Sequence, residues 1–298
     1  MYEQIASNKR KSFFLILFFL CLVFFLAWLF GKLTGWGPQG LILAAVIAIA
    51  MTFGSYYASD KIVLAISRAK PVEKKDYPYL YNVVEGLAIA AGLPKPRCYI
   101  IDDTAPNAFA SGRNPKNSVI VVTKGLLEKL NRVELEGVIA HEMSHIKNYD
   151  ILVQTLTVVM VGVIALLSDW ILRSFLWGGG RRRRSSSSKG GNAAAIIIVV
   201  GLVLAVLSPL IAQLVRFAVS RKREFLADAN GALLTRYPPG LASALRKLHA
   251  DKEPLEAANK ATAHLYIVNP LKNIKGNVNK LFSTHPAIEE RVAALEKM

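Results

Sequence analysis

Four charge-free apolar runs constrain the fold of this chain more than any other feature. They are residues 13–30, 41–58, 151–168 and 193–215. Each is near or above the length that a helix needs to cross about 30 Å of hydrocarbon. Hydrophobic residues fill 53% of the 298 positions, which is too apolar for a typical soluble domain. The sequence therefore predicts an α-helical membrane protein with about four transmembrane or membrane-embedded helices.

Basic residues predict which ends of the first hairpin face the cytoplasm. The net charge is +16, with KRK before the first run and Lys61, Arg68, Lys70, Lys74 and Lys75 after the second. Lysine and arginine favour the cytoplasmic side, so both ends of this hairpin are expected there. The same charge suits anionic lipid head groups. Because no nucleic-acid-binding module accompanies it, we expect membrane lipids as partners and no nucleic acid.

The third and fourth runs leave their topology open. If both cross the membrane, the loop of residues 178–192, with four consecutive arginines, lies outside the cytoplasm. That placement opposes the positive-inside tendency. Asp169 and Arg173 also interrupt the extension of the third run, so a re-entrant hairpin is the alternative to two spans. In either case Asp150 and Ser220 are expected on the same side.

The segment between the two hairpins is polar enough to fold in water. RCYIID and SVIVVT have the pattern of β-strands around the turn-rich NAFASGRNPKNS, and residues 78–93 have helical spacing. A further helix is predicted after Asn131, which can cap it with Glu134 in a capping-box position. These patterns indicate a small α/β lobe.

The stretch HEMSH carries two histidines and a glutamate at the spacing of a catalytic zinc site. On a helix His141 and His145 lie one turn apart and face the same way, so two imidazoles can bind one zinc ion. Glu142 is then placed to act as general base on a water molecule at the metal. The motif is expected by chance in well under about one chain in a hundred. The alternative is a polar, membrane-proximal helix end.

A catalytic zinc of this type needs a third protein ligand. Asn148 and Ile151 occupy the places of the glycine and histidine in the longer motif HExxHxxGxxH, so the ligand must come from farther along. Glu224 is favoured because it lies in RKREFLADANGALL, directly after the fourth run. Asp228, one turn later, can accept a hydrogen bond from a ligand histidine. The other candidates are Glu253, Glu256, Glu289, Glu290, Glu296, His249, His264 and His285.

With HEMSH, REFLAD and STHP assembled, the chain resembles the HtpX family of membrane zinc metalloproteases, relatives of the CAAX prenyl endopeptidases and mitochondrial Oma-type proteases. The resemblance covers nearly the whole chain. It implies a small cytoplasmic α+β zincin-like metalloprotease domain on membrane helices, with one Zn²⁺ per chain. It also implies a heat-shock-linked, multi-pass endopeptidase of the cell inner membrane that faces the cytoplasm and cleaves damaged membrane proteins or unfolded polypeptides.

The resemblance assigns roles to individual residues. His141, His145 and Glu224 are implied as zinc ligands, Glu142 as the base, and Asp228 as a support of the ligand shell.

Two further motifs gain roles only through the resemblance. Asn107, in PNAFASG, is expected to hold the substrate backbone, and His285 and Arg291, in STHPAIEER, are expected to stabilise the oxyanion. From their sequence context alone, Asn107 is an ordinary turn residue and His285 a neighbour of a helix cap. Ala287 stands where the family often has a second proline.

The expected organisation has four parts. Residues 1–68 form the N-terminal transmembrane hairpin, and 69–150 the first part of the catalytic domain with the HExxH helix. Residues 151–219 form the second membrane hairpin with the loop 178–192, and 220–298 the C-terminal part of the catalytic domain. Two alternatives stay open: a non-catalytic membrane scaffold with a basic lipid-binding surface, and a protease whose motif lies within the bilayer. Charges around the motif disfavour the latter.

Overall fold

The structure, a computed structural model, describes residues 2–34, 37–178, 214, 220–259, 261–270 and 285–298. It begins with helices α1 (Tyr2–Thr34), α2 (Gly37–Tyr57) and α3 (Ser59–Ile66). The first apolar run lies within α1 and the second, up to Tyr57, within α2, and the two helices pack against each other. Both helices extend into the segment GKLTGWGPQG that separates these two runs in the sequence.

A four-stranded sheet forms the centre of the lobe that follows. Its strands are β1 (Lys70–Pro71), β2 (Arg97–Ile101), β3 (Ala108–Gly112) and β4 (Ser118–Thr123), in the order β1-β2-β4-β3. β2 and β4 are parallel, and β3 and β4 are antiparallel. Helix α4 (Pro78–Ala91) packs against β2. The strand β3 therefore lies at one edge of the sheet.

β2 and β4 confirm the two predicted strands, but the prediction for the segment between them is wrong in part. β3 lies inside NAFASGRNPKNS, which the sequence assigned to turns. Its residues are small and, Phe109 apart, neither β-branched nor aromatic, so propensity gives little strand signal. Pairing with β4 and complete burial stabilise it instead. The turn itself is a short 3-10 helix at Pro115–Asn117.

Helix α6 (Arg132–Lys147) carries the HEMSH stretch and follows α5 (Lys124–Lys129). The predicted capping box is present: the Asn131 side chain accepts from the Glu134 backbone N–H at 3.1 Å, and Glu134 Oε2 accepts from the Asn131 N–H at 2.8 Å. Glu134 also accepts from Lys247 Nζ at 2.7 Å and from Ser243 Oγ at 2.6 Å. The Glu134 side chain thus caps the start of α6 and also links α6 to the later helix that carries Ser243 and Lys247.

The remaining helices surround α6. They are α7 (Asp150–Gly178), α8 (Arg221–Thr235), α9 (Pro238–Ala250) and α10 (Ile288–Leu295). α6 packs against α4, α8, α9 and β3, and its residues from Val138 to Ile146 are all buried. The HEMSH stretch therefore lies in the centre of the lobe, where four elements can bring side chains to it.

No single helix among the described residues meets the combined requirement of length and apolar composition for a membrane span. One bent pair meets it jointly: α6 and the part of α7 up to Ile164, which meet at 83°. The third apolar run lies within α7. The fourth run, apart from Leu214, and the loop after Gly178 lie outside the described residues.

Candidate metal centre

Three side chains that the sequence proposes as zinc ligands converge inside the lobe. His141 and His145 lie one turn apart on α6, and Glu224 lies in the first turn of α8. Their ligand atoms all lie within 4.8 Å of one another. The two Nε2 atoms are 3.2 Å apart, and the Glu224 carboxylate oxygens lie 3.7 Å and 3.6 Å from them.

A carboxylate lies within hydrogen-bond distance of the Nδ1 atom of each histidine. His141 Nδ1 is 2.9 Å from Asp228 Oδ1, and His145 Nδ1 is 3.0 Å from Asp150 Oδ2. A carboxylate at Nδ1 takes the ring N–H there and leaves the Nε2 lone pair for a metal. Asp228 lies where the predicted hydrogen bond requires it, one turn after Glu224. Both Nε2 atoms are therefore aimed at one point.

The arrangement fits a divalent cation such as zinc. Two buried nitrogens 3.2 Å apart have about the spacing of imidazole ligands that each lie ~2.0–2.1 Å from one tetrahedral ion. Among the described residues, Glu224 Oε2 and both ring nitrogens of His285 are buried without a well-formed hydrogen bond. Such atoms are rare in native interiors, and a bound cation would satisfy the carboxylate. Two histidines and a glutamate also form a known ligand set of catalytic zinc.

Burial and neighbouring charges set the protonation of the ligands. Burial lowers the pKa of His145, but the hydrogen bond to Asp150 and the charge of Glu224 outweigh it and raise that pKa to about 9. The pKa of His141 is lowered, mainly by burial. Burial acts against the charged form of Glu224, yet His285, His145 and Arg291 hold its pKa well below the usual range. Glu224 is therefore an anion at neutral pH.

Glu142 lies on α6 beside the ligands and faces the edge strand. Its carboxylate is 2% exposed and accepts a hydrogen bond from the backbone of Ala110 on β3. Burial raises the pKa of Glu142 to about 7, although the nearby His145 opposes the shift. A carboxylate that titrates near neutral pH is suited to accepting a proton and returning it.

Asn107 lies at the start of β3. Its Nδ2 donates to the Val268 carbonyl at 2.9 Å, and its Oδ1 accepts from the Ala108 N–H at 3.1 Å. Beside it, the Ile267 N–H donates to the Ala108 carbonyl at 3.0 Å. Residues 267–268 therefore lie along the part of the edge strand where the substrate backbone is expected.

His285 and Arg291 both reach the ligand cluster from the C-terminal segment. His285 Nδ1 is 3.1 Å from Glu224 Oε2, but neither atom has a well-formed hydrogen bond within the part of the chain that the structure describes. Arg291 is completely buried; its Nη2 and Nε donate to the two oxygens of Asp228 at 2.6 Å and 2.8 Å. Its Nη1 donates to the Ile267 carbonyl at 3.1 Å and lies 3.8 Å from Glu224 Oε2.

Apart from His285, the other candidates for the third ligand lie outside the cluster of His141, His145 and Glu224. His264 is buried, but its Nε2 is 3.3 Å from the Gln154 carbonyl. The rest are exposed at the surface: Glu253, Glu256, Glu289, Glu290, Glu296 and His249. The folded chain therefore supports Glu224, which the sequence favoured, over the other acidic candidates.

Asp150 and Ala110 are site residues that the sequence did not identify. Asp150 begins α7 after a sharp bend in which Tyr149 has φ 60°. The bend turns its carboxylate back to His145, and an acidic residue five places after the motif gave no signal by itself. Ala110 contributes only its backbone, which no residue type reveals.

Comparison with known proteins gives consistent matches. Residues 74–298 match the model of peptidase family M48. A protease HtpX homolog of Dictyoglomus turgidum is 50% identical over 297 residues, covering 100% of this chain and 94% of the relative. One from Thermoanaerobacter pseudethanolicus is 45% identical over 298 residues, covering 100% and 98%. Among solved structures, the crystal structure of S. mikatae Ste24p is 21% identical with a TM-score of 0.49, covering 99% of this chain and 67% of that one.

Proposed function

Because this chain belongs to peptidase family M48 and is a metalloprotease, we propose that it is a zinc-dependent endopeptidase of the membrane that cleaves polypeptides lacking native packing. The observation that carries the proposal is the convergence of His141, His145 and Glu224 beside the buried Glu142. Two of these ligands come from one helix and the third from another, so a local helix motif alone does not account for the arrangement.

His141, His145 and Glu224 would hold one zinc ion, which supplies a Lewis acid that activates water near neutral pH. Glu142 accepts the proton of the attacking water and delivers it to the leaving amine. Asp228 and Asp150 hold the two imidazoles in the tautomer that leaves Nε2 free. Because Asp228 and Asp150 are buried, bulk water does not compete for these hydrogen bonds.

Of the two residues proposed for the oxyanion, His285 is favoured as the direct donor. Its ring nitrogens have no well-formed hydrogen bond among the described residues, so one of them can serve the substrate. Arg291 donates to Asp228 and to the Ile267 carbonyl. The positive charge of Arg291 would stabilise the oxyanion across the buried site. Its hydrogen bonds would also hold the Asp228 carboxylate in place.

The outer edge of β3 is the proposed site for an extended substrate. β3 pairs with β4 on one side, and on its other side the Ala110 backbone reaches Glu142. A peptide that adds to such an edge is held by backbone hydrogen bonds, which tolerate many sequences. Asn107 stands at the start of this edge. Residues 267–268 lie along the same part of it, so substrate would enter beside them or displace them.

A role in quality control of inner-membrane proteins, with the site facing the cytoplasm, completes the proposal. Two observations support the membrane placement and its orientation. The basic residues that flank the first hairpin favour the cytoplasmic side. The aromatic side chains Phe13, Phe14 and Phe25 on α1 are all more than half exposed, as a lipid-facing surface requires.

The test is cleavage of casein by the detergent-purified chain, with zinc-loaded, chelated and Glu142→Gln samples. We expect Glu142→Gln to lower the rate about 10²–10⁴-fold, since the general base is lost, while the zinc content stays that of the wild type. Glu136→Gln is the matched control, because Glu136 lies on the same helix and pairs with Arg132 away from the ligands. Equal inertness of zinc-loaded wild type and Glu142→Gln would favour the scaffold alternative.

A further inference from the structure

Asn8, near the start of α1, is a buried polar residue at an unexpected place. Asn8 is 2% exposed. A buried amide is unexpected here, because the first apolar run begins a few residues later on the same helix. Its Nδ2 donates to the Asn148 carbonyl at 2.8 Å and to Asp150 Oδ1 at 2.7 Å. Its Oδ1 accepts from Arg223 Nη1 at 2.8 Å. Both ends of the amide are therefore engaged with residues more than a hundred positions away in sequence.

Two of these partners, Asp150 and Arg223, are adjacent to the proposed metal ligands. Asp150 uses its other oxygen, Oδ2, to bind His145 Nδ1 at 3.0 Å. Arg223 immediately precedes Glu224, and its Nη1 also lies 3.1 Å from Asp150 Oδ1. The Asn8 amide thus joins the segment after α6 to the first turn of α8. One ligand histidine and the ligand glutamate depend on those two segments.

We propose that Asn8 is a positioning residue of the metal centre, so that the centre reaches full affinity only when α1 is docked against the lobe. The inference rests on the proposed metal site. Asn8 supplies an N–H to Asp150 Oδ1 and so directs Oδ2 to His145. A ligand histidine whose carboxylate partner is fixed binds metal more tightly than one whose partner can rotate.

Packing around Asn8 supports a rigid junction. Lys9 Nζ lies 4.7 Å from the centre of the Tyr149 ring, next to Asp150. Farther along α1, Leu15 and Phe19 are buried in one hydrophobic cluster with Leu156 of α7. The hydrogen bonds of Asn8 therefore form at the end of a packed helix pair, where the amide has one orientation.

The experiment measures zinc binding to the full chain in detergent by competition with a chelator, together with the visible absorption spectrum of the cobalt-loaded protein. The variants are Asn8→Ala, which deletes the amide, and Asn8→Asp, which keeps its shape but loses the N–H and places a carboxylate beside Asp150. We expect both to raise the zinc dissociation constant roughly tenfold and to change the cobalt bands, which report ligand geometry. Asn8→Asp keeps the test valid if Asn8→Ala fails to fold.

Ser12→Ala is the matched control. Ser12 lies one turn farther along α1, is 3% exposed and donates only to the Asn8 carbonyl, at 2.9 Å. It should lower thermal stability without moving zinc affinity or the cobalt spectrum, because it does not touch Asp150 or Arg223. If the wild type binds zinc and the Asn8 variants match it in both measurements, this inference falls and the metal site stands. If the wild type binds no zinc, both fall.

Discussion

At the scale of single residues, the protonation of His145 controls how tightly a cation binds. The pKa of His145 is about 9, because Asp150 and Glu224 together outweigh the effect of burial. Below that pH the ring carries a proton on each nitrogen, whereas a metal ligand must be neutral. Zinc binding therefore has to release a proton from this histidine at neutral pH.

We expect the apparent zinc affinity to rise with pH between about 6.5 and 8.5, by up to tenfold per unit for one proton. The affinity rises with pH because the pKa of His145 is raised to about 9, and below that pH a proton competes with zinc for the ring nitrogen. Chelator competition at several pH values measures this dependence. Asp150→Asn, which keeps the shape but removes the charge, should move the dependence to lower pH. An affinity that is constant across this range would contradict the assigned charge state.

At the scale of helices and strands, close approach around α6 determines the geometry of the site. A Cβ added at Gly137 would lie 2.7 Å from the Leu241 backbone nitrogen of α9. One added at Gly231 of α8 would lie 3.0 Å from the backbone nitrogen of His141. Glycine at these two positions lets α8 and α9 pack directly onto the backbone of α6, which brings Glu224 within reach of the histidines.

Gly137→Ala should lower the free energy of unfolding by about 1–3 kcal/mol, because the new methyl group forces α9 away from α6. Thermal unfolding in detergent, followed by circular dichroism, measures the change. Gly86→Ala is the control: Gly86 lies on the exposed face of α4 with nothing within 4 Å of an added Cβ. There alanine should stabilise by about 0.5–1 kcal/mol. An unchanged or higher unfolding temperature for Gly137→Ala would contradict the tight packing.

At the scale of the whole molecule, the start of α1 and the lobe that carries the metal ligands share one charged junction. Arg223, close to Ser220, donates to Asp150 at 3.1 Å, so the two segments that flank residues 151–219 are in contact. Asn8 brings the start of α1 to the same point. The start of α1 and the two segments that flank residues 151–219 therefore lie together, and we expect all three on one side of the membrane.

Reporter fusions test this arrangement. Alkaline phosphatase fused after Met298 should be inactive in cells, because that enzyme is active only when exported and the lobe is proposed to face the cytoplasm. The same reporter fused after Gly35, between the first two apolar runs, should be active. The reverse pattern, or activity at both positions, would overturn the proposed orientation.

Much of the candidate site could be predicted from short stretches of the sequence. The HExxH spacing on one helix, the cap at Asn131 and the strands β2 and β4 follow from neighbouring residues, because helical and strand periodicity is a local property. The position of Glu224 and Asp228 directly after the fourth apolar run favoured them, and the resemblance to a known family added roles for Asn107, His285 and Arg291. The strand β3 could not be predicted, since pairing with β4 and burial stabilise it rather than its own propensity.

By itself the sequence determined the apolar runs, the motif helix and the chemistry of the ligands, all of which depend on residue type and short spacing. Only the tertiary structure decided that Asp150 supports His145, that the Ala110 backbone faces Glu142, and that Asn8 reaches across to both ligand segments. These contacts join residues whose partners are fixed by how helices and strands pack. Many acidic and amide side chains have the same chemistry, and packing alone selects among them.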